Sequence, residues 1–346
     1  MWCIGGKIMK KSVTLKDIAE KIGVSAVTVS KALTDKDGVS DDVRKRIKEI
    51  AAELGYKTSS ANTQLSQSGN IGVIVHKKFI KEDSNAFYLK MYQSLVQTLS
   101  RFRYYGILEI VSSTNEREKI MPKLLEDKKV DGLIVLGQFQ SDYIKMLEKT
   151  RIPIVLLDYY DKNLNLDAVI SDSVYGSYRA TNYLLNMGHR KIGFVGSIFS
   201  TNSIMDRYLG YYKALIEAKC EIREEWRIED RNEDGEYIPL NLPEGDNLPT
   251  AFVCNCENIA YILVNRLLEL GYNVPNDVSV IGYDKCNFSM RPMVSLTSVE
   301  VNIDAMTESA ADLIIKKVKG EKHCCGMRII ESKLVIRDSV SKLDLV

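Results

Sequence analysis

From residue 71 onward, short apolar runs of strand length recur with helix-length segments between them. The runs are IGVIVH (71–76), GILEIV (106–111), DGLIVL (131–136), PIVLLD (153–158), AVISD (168–172), KIGFVG (191–196), TAFVCN (250–255) and VSVIGYD (278–284). Segments 87–103, 115–129, 141–150, 174–188, 203–218 and 257–271 between them read as amphipathic helices. This is a βαβ series with buried parallel strands. It is long enough for two successive sheets, with crossovers between lobes expected near 158–172 and 290–302.

Open α/β sheets bind ligands beyond the carboxyl ends of their strands. In a two-lobed chain those ends face one cleft, and position picks out candidates. Asn85, Phe87 and Tyr88 follow the first strand. Asp158 and Asp284 end strands, and Arg207 lies on the polar face of a helix, three residues before Gly210. Paired carboxylates and an arginine suit polyols, because each can take two hydroxyls at once.

Ahead of this series, Val13–Leu33 reads VTLKDIAEKIGVSAVTVSKAL. Thr14 can cap a first helix, with Asp17 at its positive end. Leu15, Ile18, Ala19 and Ile22 form its apolar stripe, and Gly23 takes the turn. Ser25 then caps a second helix, with Val29, Ala32 and Leu33 inward and Ala26, Val27, Ser30 and Lys31 outward. A third helix runs from a cap at Ser40 to Leu54. Three helices in about 45 residues with this turn form a helix-turn-helix.

A chain of 346 residues has room for two or three domains. Its net charge of +1 advertises no global field, so a nucleic-acid site must be local. Residues 9–57 hold eleven Lys/Arg against eight Asp/Glu, a local excess that a dimer doubles. No apolar run reaches about 18 residues, so no membrane span is expected. MWCIGGKI at the start lacks the features of a signal peptide, and residues 1–8 are expected to be a disordered leading segment.

Seven scattered cysteines fit a reducing cytoplasm better than a disulfide framework. Neither Cys254-Asn-Cys256 nor Cys324-Cys325 has zinc-site spacing. With only His76, His189 and His323 in the chain, no metal is expected. No GxxxxGK[ST] loop or GxSxG elbow is present, and no strand leads into a GxGxxG turn. The chain is therefore expected to be neither an enzyme nor a cofactor carrier.

VTLKDIAEKIGVSAVTVSKAL, continued by VSDDVRKRIKEIAAELGY, resembles the headpiece of the lactose-repressor (LacI/GalR) family of bacterial transcription regulators. SDSVYGSYRATNYLLNMGHRKIGFVG (171–196), DRYLGYYKAL (206–215) and VSVIGYD resemble that family's core, itself similar to periplasmic sugar-binding proteins. The resemblance implies an α+β multidomain chain. An all-α helix-turn-helix headpiece (9–57) and a hinge linker (58–70) precede a two-lobed α/β core (71–340). Lobe 1 is expected near 71–168 and 290–325, lobe 2 near 169–289 and 326–340.

The same resemblance implies a sequence-specific regulator, a repressor, that binds a double-stranded DNA operator as a homodimer under control of a small sugar-like effector. Ala26 and Val27 then meet base edges, with apolar contact only, for example to a thymine methyl. Lys31 reaches a guanine or a phosphate, and Thr14, Ser25, Thr28 and Ser30 serve the cap and the phosphates. Leu65 is the hinge leucine that wedges between minor-groove base steps. Asp158, Arg207 and Asp284 match effector-binding positions. Ile71, Val73, Leu95 and Leu99 are candidates for the dimer contact.

Several positions depart from the family pattern. Thr58, Ser59, Ser60 and Asn62 weaken the hinge helix. Cys256 stands where a ligand-touching asparagine is usual, and Lys285 where a second aspartate is common. Segment 221–249 is acidic, and Pro239, Pro243 and Pro249 argue against the helix usual there. These changes keep open a regulator whose pocket has decayed and which answers to a protein partner. A transporter's solute-binding protein is the remaining alternative.

Overall fold

Two capping devices set the first two helices of the chain. In the computed structural model, which describes residues 13–33, 37–54, 69–80, 86–284 and 294–343, these are α1 (Leu15–Ile22), α2 (Ala26–Leu33) and α3 (Asp41–Glu53). Thr14 and Asp17 form a reciprocal capping box, in which the Thr14 N–H donates to Asp17 Oδ2 at 2.6 Å. Gly23 ends α1 at φ 78°, where a side chain would be strained. The Thr28 N–H donates to Ser25 Oγ at 3.1 Å and starts α2. Ile18, Ala19, Val29, Ala32, Ile47 and Ala51 form a small shared core. This helical unit and the α/β unit that starts at Gly69 are separate compact bodies.

The α/β unit holds two six-stranded sheets. The first runs in the order β11–β5–β4–β3–β1–β2, from β1 (Gly69–His76), β2 (Tyr104–Val111), β3 (Gly132–Leu136), β4 (Ile154–Leu157), β5 (Asp167–Ser171) and β11 (Met327–Ile330). All its pairings are parallel. The second runs β12–β10–β9–β8–β6–β7, from β6 (Ile192–Val195), β7 (Arg227–Ile228), β8 (Ala251–Cys254), β9 (Ser279–Tyr283), β10 (Thr297–Glu300) and β12 (Lys333–Val335). Only β12 is antiparallel to its neighbour.

Helices cover both faces of each sheet, as continuous apolar runs require. They are α4 (Ala86–Arg101), α5 (Ser113–Arg117), α6 (Lys123–Glu126), α7 (Ser141–Glu148), α8 (Ser173–Asn186), α9 (Asn202–Glu217), α10 (Glu257–Glu269) and α11 (Ile303–Val318). On the first sheet, α4 and α11 pack on one face and α6 and α7 on the other. On the second, α8 and α9 face α10 across the strands.

The structure corrects four expectations. The single helix at 115–129 is two short ones, because Lys119 turns left-handed (φ 54°) and Pro122 restarts the chain at α6. The late lobe boundaries exchange places at their ends. Thr297–Glu300 pairs with β9 in the second sheet, and Met327–Ile330 pairs with β5 in the first. The chain therefore passes between the sheets three times, after β5, after β10 and after β11. Finally, Ile71, Val73, Leu95 and Leu99 are fully buried in the first sheet's core, between β1 and α4, and cannot offer a dimer contact. Of the linker expected at 58–70, Gly69 and Asn70 already belong to β1, and residues 58–68 with Leu65, the leading residues, Asn85 and Lys285 lie outside the described residues.

The closest helix pair of the second lobe is α8 against α9. A Cβ on Gly210 would lie 2.0 Å from the Val174 carbonyl oxygen, a backbone atom that cannot swing away. Gly210→Ala should therefore spread the two helices and destabilise the α/β unit by about 1–3 kcal/mol. Urea unfolding checks this, and an unchanged midpoint would mean that the helices separate freely.

Candidate functional site

Asp158 and Asp284 occupy matched places in the two sheets. Asp158 follows β4 and Asp284 follows β9. Both adopt φ 65°, a left-handed conformation that aspartate tolerates better than most residues. In each case the backbone N–H is held by the next strand of the sheet. Asp158 donates to the Val169 carbonyl at 2.8 Å, and Asp284 to the Val299 carbonyl at 2.9 Å. Each chain thus turns sharply at its strand end and sends a carboxylate into the same cavity, of about 90 Å³.

Arg207, on α9, meets Asp284 through two parallel hydrogen bonds of 3.0 and 3.1 Å. It also donates to the Asn255 carbonyl, and its guanidinium stacks over the Tyr283 ring, 3.9 Å from the centroid. Both charged partners are buried. Burial opposes the arginine's charge, but Asp284, Tyr283 and Asp158 together outweigh it and hold the proton more firmly than usual. Burial raises Asp284, against the pull of Arg207.

Asp158 lacks such a partner. The Tyr88 hydroxyl donates to its Oδ2 at 2.8 Å. Burial, and then the nearby Asp284 charge, push its carboxyl up to about 7, although Arg207 and Tyr88 pull the other way. The two aspartates are thus separated chemically, one ion-paired and one near neutrality.

Phe87 and Tyr88 open α4 and also line the cavity, their rings edge to face at 5.2 Å between centroids. Cys256, at the cap position of α10, lies on the cavity wall. Burial raises its thiol, and its sulfur is 3.9 Å from the Tyr237 hydroxyl. Of the seven candidates only Asn85 lies outside the described residues.

Other lining residues were not evident from sequence. The acidic stretch 221–249 forms no α-helix and only two single 3-10 turns, at Glu224–Trp226 and Gly245–Asn247. Trp226 is fully buried and donates from Nε1 to the Asn247 carbonyl at 2.9 Å, while Arg231 and Tyr237 bridge as an antiparallel pair. The turn between them carries Arg231, Glu233 and Tyr237 to the cavity. Arg231 is anchored by the fully buried Asp230 and by Asn255 Oδ1 at 3.1 Å. The one hint in the sequence was an arginine directly after an aspartate within an otherwise acidic run. Lys78 joins from beyond β1.

Two bonds tie the lobes beside this cavity. The Tyr160 hydroxyl donates to Asp206 Oδ1 at 2.9 Å, and the Asn202 N–H to Gln138 Oε1 at 2.8 Å.

The helical unit places its candidates differently. Val27 is 66% exposed and Lys31 is exposed, so both are free to meet a partner. Ala26 instead packs half-buried against the small core, which corrects its outward assignment. Thr14 spends its hydroxyl on Asp17 Oδ2 at 2.8 Å, and the Ser25 and Thr28 hydroxyls pair with each other at 2.8 Å. Ser30 is half-buried. Among the described residues no helix is long and apolar enough to cross a membrane.

Comparison with known proteins agrees with both units. Residues 14–59 match the model for bacterial regulatory proteins of the lacI family, and 181–340 match a periplasmic binding protein-like domain. The chain is 30% identical over 340 residues to the HTH-type transcriptional repressor PurR of Actinobacillus pleuropneumoniae, covering 96% of this chain and 99% of that one. It is 29% identical to the protein of that name from Glaesserella parasuis, with the same coverage. Among solved structures, a transcriptional regulator CelR–cellobiose complex superposes with a TM-score of 0.68 at 22% identity, over 94% of this chain and 99% of that one. The lac repressor dimer bound to operator and the anti-inducer ONPF superposes at 0.64 and 22%, over 96% and 100%. A capped helix-turn-helix joined to a two-sheet binding core, matched along nearly its whole length by named repressors, makes this chain a member of the LacI family of DNA-binding transcriptional regulators.

Proposed function

We propose that this regulator is a homodimeric, cytoplasmic repressor whose hold on a double-stranded operator is set by a small polar effector in the cavity between the sheets. The carrying observation is the convergence of Asp158, Asp284 and Arg207 on one buried cavity. Two carboxylates with different proton affinities and a fixed guanidinium can match a molecule that presents both donors and acceptors, such as a sugar. Phe87 and Tyr88 add an apolar wall for its ring carbons. Structural neighbours are described with cellobiose and with ribose bound, which supports a carbohydrate-like ligand for this cleft.

The effector acts by what it does to the lobes. It touches the first lobe at Asp158 and Tyr88 and the second at Arg207 and Asp284, so its affinity depends on their separation. A difference of about 1–3 kcal/mol between two lobe arrangements changes operator occupancy roughly 5–150-fold. A decayed pocket answering to a protein partner is favoured by one feature, the Arg231–Tyr237 turn that lines the cavity where a helix is usual.

A thermal-shift screen of the full-length protein against monosaccharides, disaccharides and their phosphates separates the two. A true effector at 100 times its Kd stabilises the protein by about 2.7 kcal/mol. Tyr88→Phe should weaken that ligand several-fold and Arg207→Gln at least tenfold. A screen in which nothing shifts the wild type favours the protein partner.

Asp158 gives the free protein a pH signature. Its folded carboxyl is raised to about 7, so the fold prefers the protonated form. Stability from this group is complete below its ordinary value near 4. It is lost as pH rises through about 7. Asp158→Asn should flatten the melting temperature between pH 5 and 8, and an unaltered slope would assign the dependence to other groups.

On the DNA side, Val27→Ala should relax one position of the operator by about 1 kcal/mol if the side chain meets a thymine methyl. Selection from a random duplex pool at fixed salt reads this directly. Preferences unchanged at every base would remove Val27 from recognition.

A further inference from the structure

Away from the cleft, three groups far apart in sequence come together at the amino end of β5. Asp167 is the first residue of that strand and is buried. His323 and Cys325 lie in the loop that leads from α11 to β11. His323 Nε2 is 3.4 Å from Asp167 Oδ2 and 3.8 Å from Cys325 Sγ, and the three atoms all fall within 4.8 Å of one another. We infer that Asp167, His323 and Cys325 form a binding site for a divalent transition-metal ion, with zinc the best fit.

The histidine's other nitrogen carries this inference. His323 Nδ1 lies 3.1 Å from the Glu321 carbonyl oxygen, which can only accept. Nδ1 therefore holds a proton, and in the neutral ring Nε2 presents a lone pair. That lone pair faces a carboxylate oxygen and a sulfur. In the neutral ring Nε2 can take a hydrogen bond from the Cys325 thiol, and a cation that displaces the thiol proton would be met by an imidazole lone pair, a carboxylate oxygen and a thiolate. Orientation of one imidazole nitrogen by a backbone carbonyl, with the other on the metal, is the usual support for such a ligand.

Distances agree. Zinc bonds of about 2.0–2.1 Å to nitrogen, 2.0–2.2 Å to oxygen and 2.3 Å to sulfur, set at tetrahedral angles, separate N from O by about 3.3 Å and N from S by about 3.6 Å. The Gly326 N–H holds Oδ1 at 2.7 Å, while Oδ2 already pairs with Lys317 Nζ at 2.5 Å, so the ion competes with this ammonium for that oxygen. A thiolate and an imidazole favour zinc over calcium or magnesium. The fourth position is left to solvent, since Cys325 is exposed.

The ion would fasten the loop before β11 to the start of β5, the strand with which β11 pairs. Asp158 follows the opposite, carboxyl end of the adjacent β4, so this site is separate from the effector cleft.

The test uses full-length protein, stripped with a chelator under a phosphine reductant and titrated with cobalt(II) and then zinc(II). One cobalt per chain should bind with a thiolate-to-metal charge-transfer band, and zinc should displace it and raise the melting temperature. Cys325→Ser should abolish the band. His323→Ala should weaken binding at least tenfold, and Cys220→Ser should change neither. Asp167 also anchors Lys317 and Gly326, so the two loop variants carry the test. Absence of the band in the wild type at micromolar metal overturns the site. So does a band that survives the double variant His323→Ala/Cys325→Ser.

Discussion

The buried ion pair of Arg207 and Asp284 is the interaction around which the cleft is arranged. A guanidinium removed from water needs its charge met, and here a bidentate carboxylate, a carbonyl and an aromatic face share the task, while its Nε has no hydrogen-bond partner among the described residues. These groups come from three places, Arg207 from α9, Tyr283 and Asp284 from the end of β9, and the Asn255 carbonyl from the residue after β8. Losing one would leave the others with an uncompensated charge. The pair therefore holds the carboxyl ends of the second sheet together, and leaves Asp158 across the cavity as the carboxyl with a variable proton.

Much of this was legible because the two lobes obey one rule. Parallel strands covered on both faces write continuous apolar runs, and residues directly after such runs lie at a cleft. Asp158 and Asp284 were found that way, and Arg207 by its place on a helix's polar face. The capping residues Thr14 and Ser25 were equally plain, because a cap is a local event. The resemblance of the headpiece and of VSVIGYD added the family to that reading.

What escaped was long-range or irregular. The strands Thr297–Glu300 and Met327–Ile330 are four residues each, and nothing in so short a run says which sheet will take it. Arg231 and Tyr237 reach the cavity through a turn whose course depends on the burial of Trp226 and Asp230, not on any periodicity. Ala26 looked outward on a helical wheel but is close enough to the small core to pack there. Asp167, His323 and Cys325 have no motif spacing, because strand pairing rather than sequence brings them together.

The triple passage of the chain between the sheets has a mechanical consequence. Two bodies joined by one tether can tumble independently, whereas three short parallel connections act as a flexure and permit mainly bending about their common line. The connections after β5, β10 and β11 are each only a few residues long. Relative motion of the lobes is thereby restricted mainly to a change of their angle, with Arg207 on one side of the cleft and Asp158 on the other.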